Sequence, residues 1–209
     1  MKIKDGQTIV FIGDSITDCG RGRGENTLGN GYVKTFSDLF TIREPKRTIT
    51  IINRGISGDN VKGLQGRWAD DVLRNKPDFL SVKIGINDIS NFLQQGEITP
   101  AVFQDAYDDI LSRTMAALPK CKILLIDPFF LSVEKSPSSG RTSYMGALPA
   151  YHKAIAKMSK KYNTAHLKTH AMFQNLLKYH DPNKFCPEPV HPNPTGHLAI
   201  AEAVYQKLS

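Results

Sequence analysis

Five short apolar runs, Thr8 to Ile12, Ile49 to Ile52, Phe79 to Ile86, Ile123 to Ile126 and, more weakly, Thr164 to Leu167, alternate with longer segments of helical period. That alternation predicts an α/β fold built on a parallel sheet. The helix signals between the runs are strong at two places. Thr99 and Pro100 supply a capping residue and a first-turn proline ahead of the stripe Phe103, Ala106, Tyr107, Ile110 and Leu111. Near the end of the chain, Asn193 can cap and Pro194 can open a helix whose apolar face carries Leu198, Ala201, Val204, Tyr205 and Leu208.

The chain has 209 residues, and 40% of them are hydrophobic, enough for one substantial core, so a single domain over residues 1–209 is expected. No repeat, low-complexity tract or linker interrupts it. The Gly/Ser/Pro-rich stretch Ser132 to Gly146 reads as one long surface loop. Lys83 fits poorly, because it falls inside the apolar run of Leu80, Val82, Ile84 and Ile86, where a strand covered on both faces seldom carries an unpaired charge.

Lys plus Arg outnumber Asp plus Glu by 27 to 20, yet the basic residues are dispersed and no nucleic-acid motif accompanies them, so no nucleic-acid partner is expected. The run of Lys157, Lys160 and Lys161 reads as a solvated helix face. Cys19, Cys121 and Cys186 form an odd, widely spaced set, which indicates neither a disulfide framework nor a zinc site and favours a reducing compartment. Met1 to Gln7 is polar and leads directly into the first apolar run, leaving no room for a signal core, and nothing approaches a membrane span. The expectation is a cytoplasmic protein with no membrane partner.

Chemistry concentrates where the apolar runs end. Gly13-Asp14-Ser15-Ile16-Thr17-Asp18 places a serine at the carboxyl edge of the sheet, where open α/β folds hold ligands. The same residues also suit a helix cap or a phosphate site. A serine attacks an acyl carbon only when a base takes its proton. Among the six histidines, His191 stands out, on the proline-stiffened loop Glu188-Pro189-Val190-His191-Pro192-Asn193 with a carboxylate three residues upstream. His152, His166, His170 and His180 lie in helical or strand-end contexts, and His197 faces along the last helix. His166 and His170 have a metal-like spacing, but no further ligand completes a set, so no metal is expected. Two further strand ends offer oxyanion donors: Asn53 to Asp59, where a glycine lets a backbone N–H approach a substrate with no side chain in the way, and Gly85-Ile86-Asn87-Asp88, with an uncharged side-chain amide. Taken singly, each reads equally as a turn.

Taken together, Gly-Asp-Ser, a second-strand glycine, Gly-x-Asn-Asp and a late acid-x-x-His resemble the four signature blocks of the SGNH (GDSL) hydrolase superfamily, over Ile9 to Gly196. The resemblance implies a three-layer α/β/α sandwich with a flavodoxin-like parallel sheet. It also implies Ser15 as nucleophile, His191 as general base and then acid, and an oxyanion hole from the N–H groups of Ser15 and Gly58 and the side chain of Asn87. The family places an aspartate three residues before the histidine, whereas this chain has Glu188, with the same charge and one more methylene, in the place of the orienting acid. No cofactor is implied.

Asp14 to Gly20, Gly29 to Val33, Asn53 to Gly58, Arg67-Trp68 and Ile84 to Asp88 resemble bacterial carbohydrate acetylesterases of the acetyl-xylan type. This implies a small-molecule ester substrate, an acetylated oligosaccharide, with Asp14 and Trp68 as candidate substrate contacts. The only tryptophan, Trp68 reads either as a sugar platform or as a helix core residue. Arg21 and Arg23 read either as the rim of the cleft or as a solvated loop. A lysophospholipase or thioesterase of the same superfamily and a non-enzymatic ligand-binding module remain the alternatives. The number of subunits is open, a homo-oligomer included.

Overall fold

In the computed structural model, which describes residues 3–24 and 26–208, each apolar run builds a strand. Met1 and Lys2, from the polar N-terminal stretch, lie outside the described residues. The strands are β1 (Thr8–Gly13), β2 (Thr50–Gly55), β3 (Phe79–Lys83), β4 (Lys122–Ile126) and β5 (Ala165–Leu167). They form one sheet in the order β2-β1-β3-β4-β5, with every neighbouring pair parallel. The register sets Gly13 beside both Gly55 and Lys83, so the carboxyl ends of β1, β2 and β3 finish level. From β1 the chain goes to one neighbour and then crosses to the other. Such a reversal opens a crevice at the carboxyl ends of the strands, where doubly wound folds bind ligands.

Helices cover both faces: α1 (Ser15–Asp18), α2 (Tyr32–Arg43), α3 (Val61–Asp71), α4 (Ile86–Gln95), α5 (Pro100–Ala117), α6 (Gly140–Tyr162), α7 (Thr169–Leu176) and α8 (Pro194–Leu208). Because side chains alternate along a strand, Val10 and Ile12 of β1 and Leu80 and Val82 of β3 pack against α3, α5 and α6. Ile9, Phe11 and Phe79 turn the other way, into a core shared with α2, α7 and α8. The result is the three-layer α/β/α sandwich.

The helix signals map closely. Thr99 caps α5 by accepting from Val102 N, with Pro100 in the first turn, and all five residues of its predicted stripe are buried. Asn193 Oδ1 accepts from Gly196 N at 3.1 Å at the start of α8.

Three expectations are corrected. The run Phe79 to Ile86 is not all strand: β3 stops at Lys83 and α4 starts at Ile86. Gly85 makes the break, at φ 137°, where a Cβ would stand 2.8 Å from Pro128 Cγ. Ile84 and Ile86 stay buried, so hydrophobicity continues across the junction and conceals it. Second, Ser132 to Gly146 is not one loop, because α6 begins at Gly140, capped by Ser139. Leu148, Tyr151, Ile155 and Met158 bury its inner face, and this packing outweighs the breakers Gly146 and Pro149. Third, the buried stripe of α8 runs through His197, Ile200, Ala201, Val204 and Leu208, while Leu198 is 47% exposed.

Candidate active site

Ser15 is the first residue of α1, immediately beyond β1. Asp14 caps that short helix, its Oδ1 accepting from Ile16 N at 3.0 Å. From the other end of the chain, His191 arrives on the segment between Cys186 and α8. Its Nε2 lies 2.9 Å from Ser15 Oγ. Its Nδ1 lies 2.5 Å from Glu188 Oε1. A carboxylate beside Nδ1 holds the proton there and turns the Nε2 lone pair towards the serine.

The loop that presents His191 is stiff for identifiable reasons. Glu188 Oε1 also accepts from His191 N at 2.6 Å, and Oε2 accepts from Val190 N at 3.0 Å. Leu131 N donates to Pro189 O at 2.8 Å and Asn193 N to Phe185 O at 2.8 Å, which ties both flanks of the loop to the body.

The two other strand ends converge on the same edge. Beyond β2, Gly58 takes φ 82° on an exposed turn, and a Cβ there would meet nothing within 4 Å, so its glycine answers to backbone conformation rather than to space. Asp18 holds this turn against α1, its Oδ2 accepting from Ser57 N at 3.1 Å and from Ser57 Oγ at 2.6 Å. Asn87, in the first turn of α4, donates one amide hydrogen to Asp59 O at 2.8 Å. The other hydrogen of that amide is left for a second acceptor. Arg67 braces the frame by donating to Arg54 O at 2.7 Å and to Gly13 O at 3.3 Å, while pairing with Asp59 and Asp71.

The structure does not bring Asp14 or Trp68 to the substrate side. Asp14 is fully buried and engaged as a helix cap. Trp68 is 0% exposed, with Nε1 donating to Thr114 Oγ1 at 2.9 Å, so its ring is core and no sugar can stack on it. Arg21 is half-buried and donates to Gly55 O at 2.5 Å, whereas Arg23 is exposed. His166 Nε2 lies 2.6 Å from Asp127 Oδ1, a neighbour that linear spacing does not reveal. Among the described residues, no group of three or more His, Cys, Asp or Glu is arranged to hold a metal ion.

Several groups near the site were not singled out from the sequence. His197 lies inside the fold, its Nδ1 accepting from Tyr32 N at 3.0 Å and its Nε2 3.5 Å from Cys19 Sγ. Burial, and after it the Lys83 ammonium, pulls it down to about 4, so it is neutral near neutral pH. Asp88 caps the approach to α3, accepting from Val61 N at 2.9 Å. Burial pushes its carboxyl up to about 7 against that hydrogen bond. Asp88 was within reach of sequence reasoning, since it follows Asn87 in the same block. His197 was not, because its partners lie more than 160 residues away.

A hydroxyl, an imidazole and a carboxylate in line at the carboxyl edge of a parallel sheet is the arrangement of hydrolases that work through an activated serine. The profile of the GDSL-like lipase/acylhydrolase family matches residues 11–199. An acetylxylan esterase of Geobacillus stearothermophilus is 34% identical over the whole of this chain and 96% of its own length. Among solved structures, the same organism's acetylxylan esterase Axe2 superposes with a TM-score of 0.87 at 31% identity, covering 99% of this chain and 96% of its own. A GDSL-like protein from Parabacteroides merdae superposes with a TM-score of 0.89 at 30% identity, covering 98% and 96%. Axe2 has been crystallised as catalytic mutants in which a serine, a histidine, or an aspartate three residues before that histidine is replaced by alanine. The chain belongs to the GDSL-like lipase/acylhydrolase family. It is a carboxylic ester hydrolase.

Proposed function

We propose that the protein is a serine esterase that removes acetyl groups from carbohydrates such as acetylated xylo-oligosaccharides, through an acyl-enzyme on Ser15. The observation that carries this reading is the relay from Ser15 Oγ to His191 Nε2 at 2.9 Å and from His191 Nδ1 to Glu188 Oε1 at 2.5 Å. Support for the acetyl-sugar substrate comes from the acetylxylan esterase that is 34% identical across the full chain.

In the first step His191 Nε2 takes the Ser15 proton as Oγ bonds to the carbonyl carbon, and the carbonyl oxygen becomes an oxyanion. The N–H groups of Ser15 and Gly58 and the unengaged amide hydrogen of Asn87 stabilise that charge. The imidazolium, steadied by Glu188, then gives its proton to the departing sugar hydroxyl as the C–O bond breaks. In the second step water attacks the acyl-serine, His191 again takes the proton, and acetate leaves as Ser15 recovers its hydrogen. Of the protein, the side chains of Ser15, His191, Glu188 and Asn87 and the backbone amides of Ser15 and Gly58 take part in these steps.

Two measurements test the proposal. Acetate release from acetylated xylo-oligosaccharides, run beside 4-nitrophenyl esters from acetyl to decanoyl, should show activity concentrated on the acetyl compounds. A maximum on the long esters would reassign the substrate to lysophospholipids or long-chain thioesters. A fluorophosphonate probe should form a single adduct that is absent in Ser15→Ala, and a protein inert to the probe would remove the acyl-enzyme.

A further inference from the structure

The lysine that sits awkwardly in an apolar run has a partner at the foot of the catalytic serine. Lys83, 1% exposed at the end of β3, holds its Nζ 3.9 Å from Asp14 Oδ1 and 5.0 Å from the centre of the Phe129 ring. Asp14 is itself 0% exposed; Oδ1 is shared with Ile16 N, and Oδ2 has no hydrogen-bond partner among the described residues. The backbone register that pairs Gly13 with Lys83 brings these two residues together. A Cβ on Gly13 would stand 2.2 Å from Lys83 O, so the two strand ends pack backbone to backbone.

An ammonium withdrawn from water persists only against an opposite charge, and the same holds for a carboxylate. The other titratable groups facing this pair are Tyr32 from α2, Asp88 from α4, Cys186 from the segment before α8, and His197 from α8. Burial pushes Tyr32 up, pushes Cys186 up to about 12 and pulls His197 down to about 4, so near neutral pH these three carry no charge. Asp88, at about 7, is partly charged there. Burial also pulls Lys83 down, and the Asp14 carboxylate is the first influence holding it up.

We propose that Lys83 is a positioning residue for ester hydrolysis: its ammonium cancels the Asp14 carboxylate directly behind Ser15, so that the anionic tetrahedral intermediate forms beside a neutral pair. The inference rests on the reading of Ser15 as nucleophile. Without the ammonium, Asp14 ionises only towards alkaline pH, and there a bare buried carboxylate one residue from the reacting oxygen would repel the developing oxyanion. It would also favour the protonated form of the nearby base, which cannot accept the serine proton. A lysine that merely fills space predicts neither effect.

The test uses the full chain with 4-nitrophenyl acetate, measuring kcat, KM and the pH profile of kcat/KM for wild type, Lys83→Met, Lys83→Gln and the double variant Lys83→Met with Asp14→Asn. Either single variant should lose about tenfold or more in kcat, with KM within about twofold, and should raise the midpoint of the acid limb by about half a pH unit or more. The glutamine variant keeps polar length without charge, and so decides the matter where the methionine variant does not fold. The double variant removes both charges while keeping an oxygen to cap α1. It should return the midpoint to the wild-type value and recover most of kcat. Wild-type behaviour in the single variants overturns the inference. So does a double variant displaced as far as the single one, which would leave Lys83 a packing role only. Fluorophosphonate labelling separates the two levels. An adduct that survives Ser15→Ala overturns the nucleophile and this inference together, whereas an adduct lost in Ser15→Ala alongside normal Lys83 variants overturns only the role of Lys83.

Discussion

Glu188 Oε1 lies 2.5 Å from the side chain of His191 and 2.6 Å from its backbone amide, so one carboxylate oxygen holds both the ring and the turn that carries it. The extra methylene relative to an aspartate is absorbed by folding the side chain back along its own loop, with Oε2 bonded to Val190 N at 3.0 Å. Glutamate at this position therefore reaches the imidazole without displacing it.

Glu188→Gln should retain an oxygen for the ring while losing the negative charge that stabilises the imidazolium, lowering kcat by about 100-fold or more with little change in KM. Because the two side chains are 57% and 46% exposed, their pairing adds little to folding, and thermal unfolding should shift by less than about 1 kcal/mol equivalent. Steady-state kinetics beside a melting curve checks both parts. A kcat within threefold of wild type would leave Glu188 with a loop-stiffening role alone.

Asn87 has one amide hydrogen on Asp59 O at 2.8 Å, which aims the group and leaves its second hydrogen directed by the same geometry. Asn87→Ala should cut kcat by roughly 100-fold or more and leave KM within a few-fold, the pattern of an interaction made chiefly in the transition state. Normal turnover in a folded variant would take the side chain out of the oxyanion site.

What was legible from the chain and what was not divides along one physical line. Ser15, Gly58 and Asn87 follow the ends of apolar runs and the Glu188–His191 pair precedes a helix start, and local sequence announces such junctions. The roles of Lys83 and His197 are set by partners remote in sequence, Asp14 for the first and Tyr32 and Cys19 for the second. No periodicity encodes those meetings. The overrun of β3 towards Ile86 has a related cause: burial of the connecting residues makes the strand end as apolar as the strand. Trp68 illustrates a third limit, since a helix-borne aromatic reads alike from sequence whether it faces the cleft or the core.

That core placement of Trp68 is itself testable. Trp68→Phe removes the indole donor that satisfies Thr114 Oγ1 and leaves a smaller ring in a fully buried site. The variant should lose about 1–3 kcal/mol of stability in a denaturant titration. Its KM for acetylated xylo-oligosaccharides should match wild type, because the ring has no surface to offer a sugar. A raised KM with unchanged stability would return the residue to the substrate cleft.

Asp88 links the active-site edge to pH through folding. Its Oδ1 accepts from Val61 N at 2.9 Å, but Oδ2 has no hydrogen-bond partner among the described residues, and burial raises the carboxyl from 3.8 to about 7. Below about pH 4 the folded and unfolded chains both hold the proton, so the group costs nothing extra. As pH rises the unfolded chain releases its proton first, and the folded chain must either retain it or bury a charge. The Asp88 contribution therefore becomes steadily more destabilising between about pH 4 and pH 7, reaching on the order of 4 kcal/mol above that window. Asp88→Asn keeps an acceptor for Val61 and carries no charge. Its unfolding free energy relative to wild type should therefore rise across this window and level off at alkaline pH. Parallel stability curves for the two proteins from pH 4 to pH 8 would contradict the assignment and indicate that the carboxyl ionises in the folded protein at an ordinary pH.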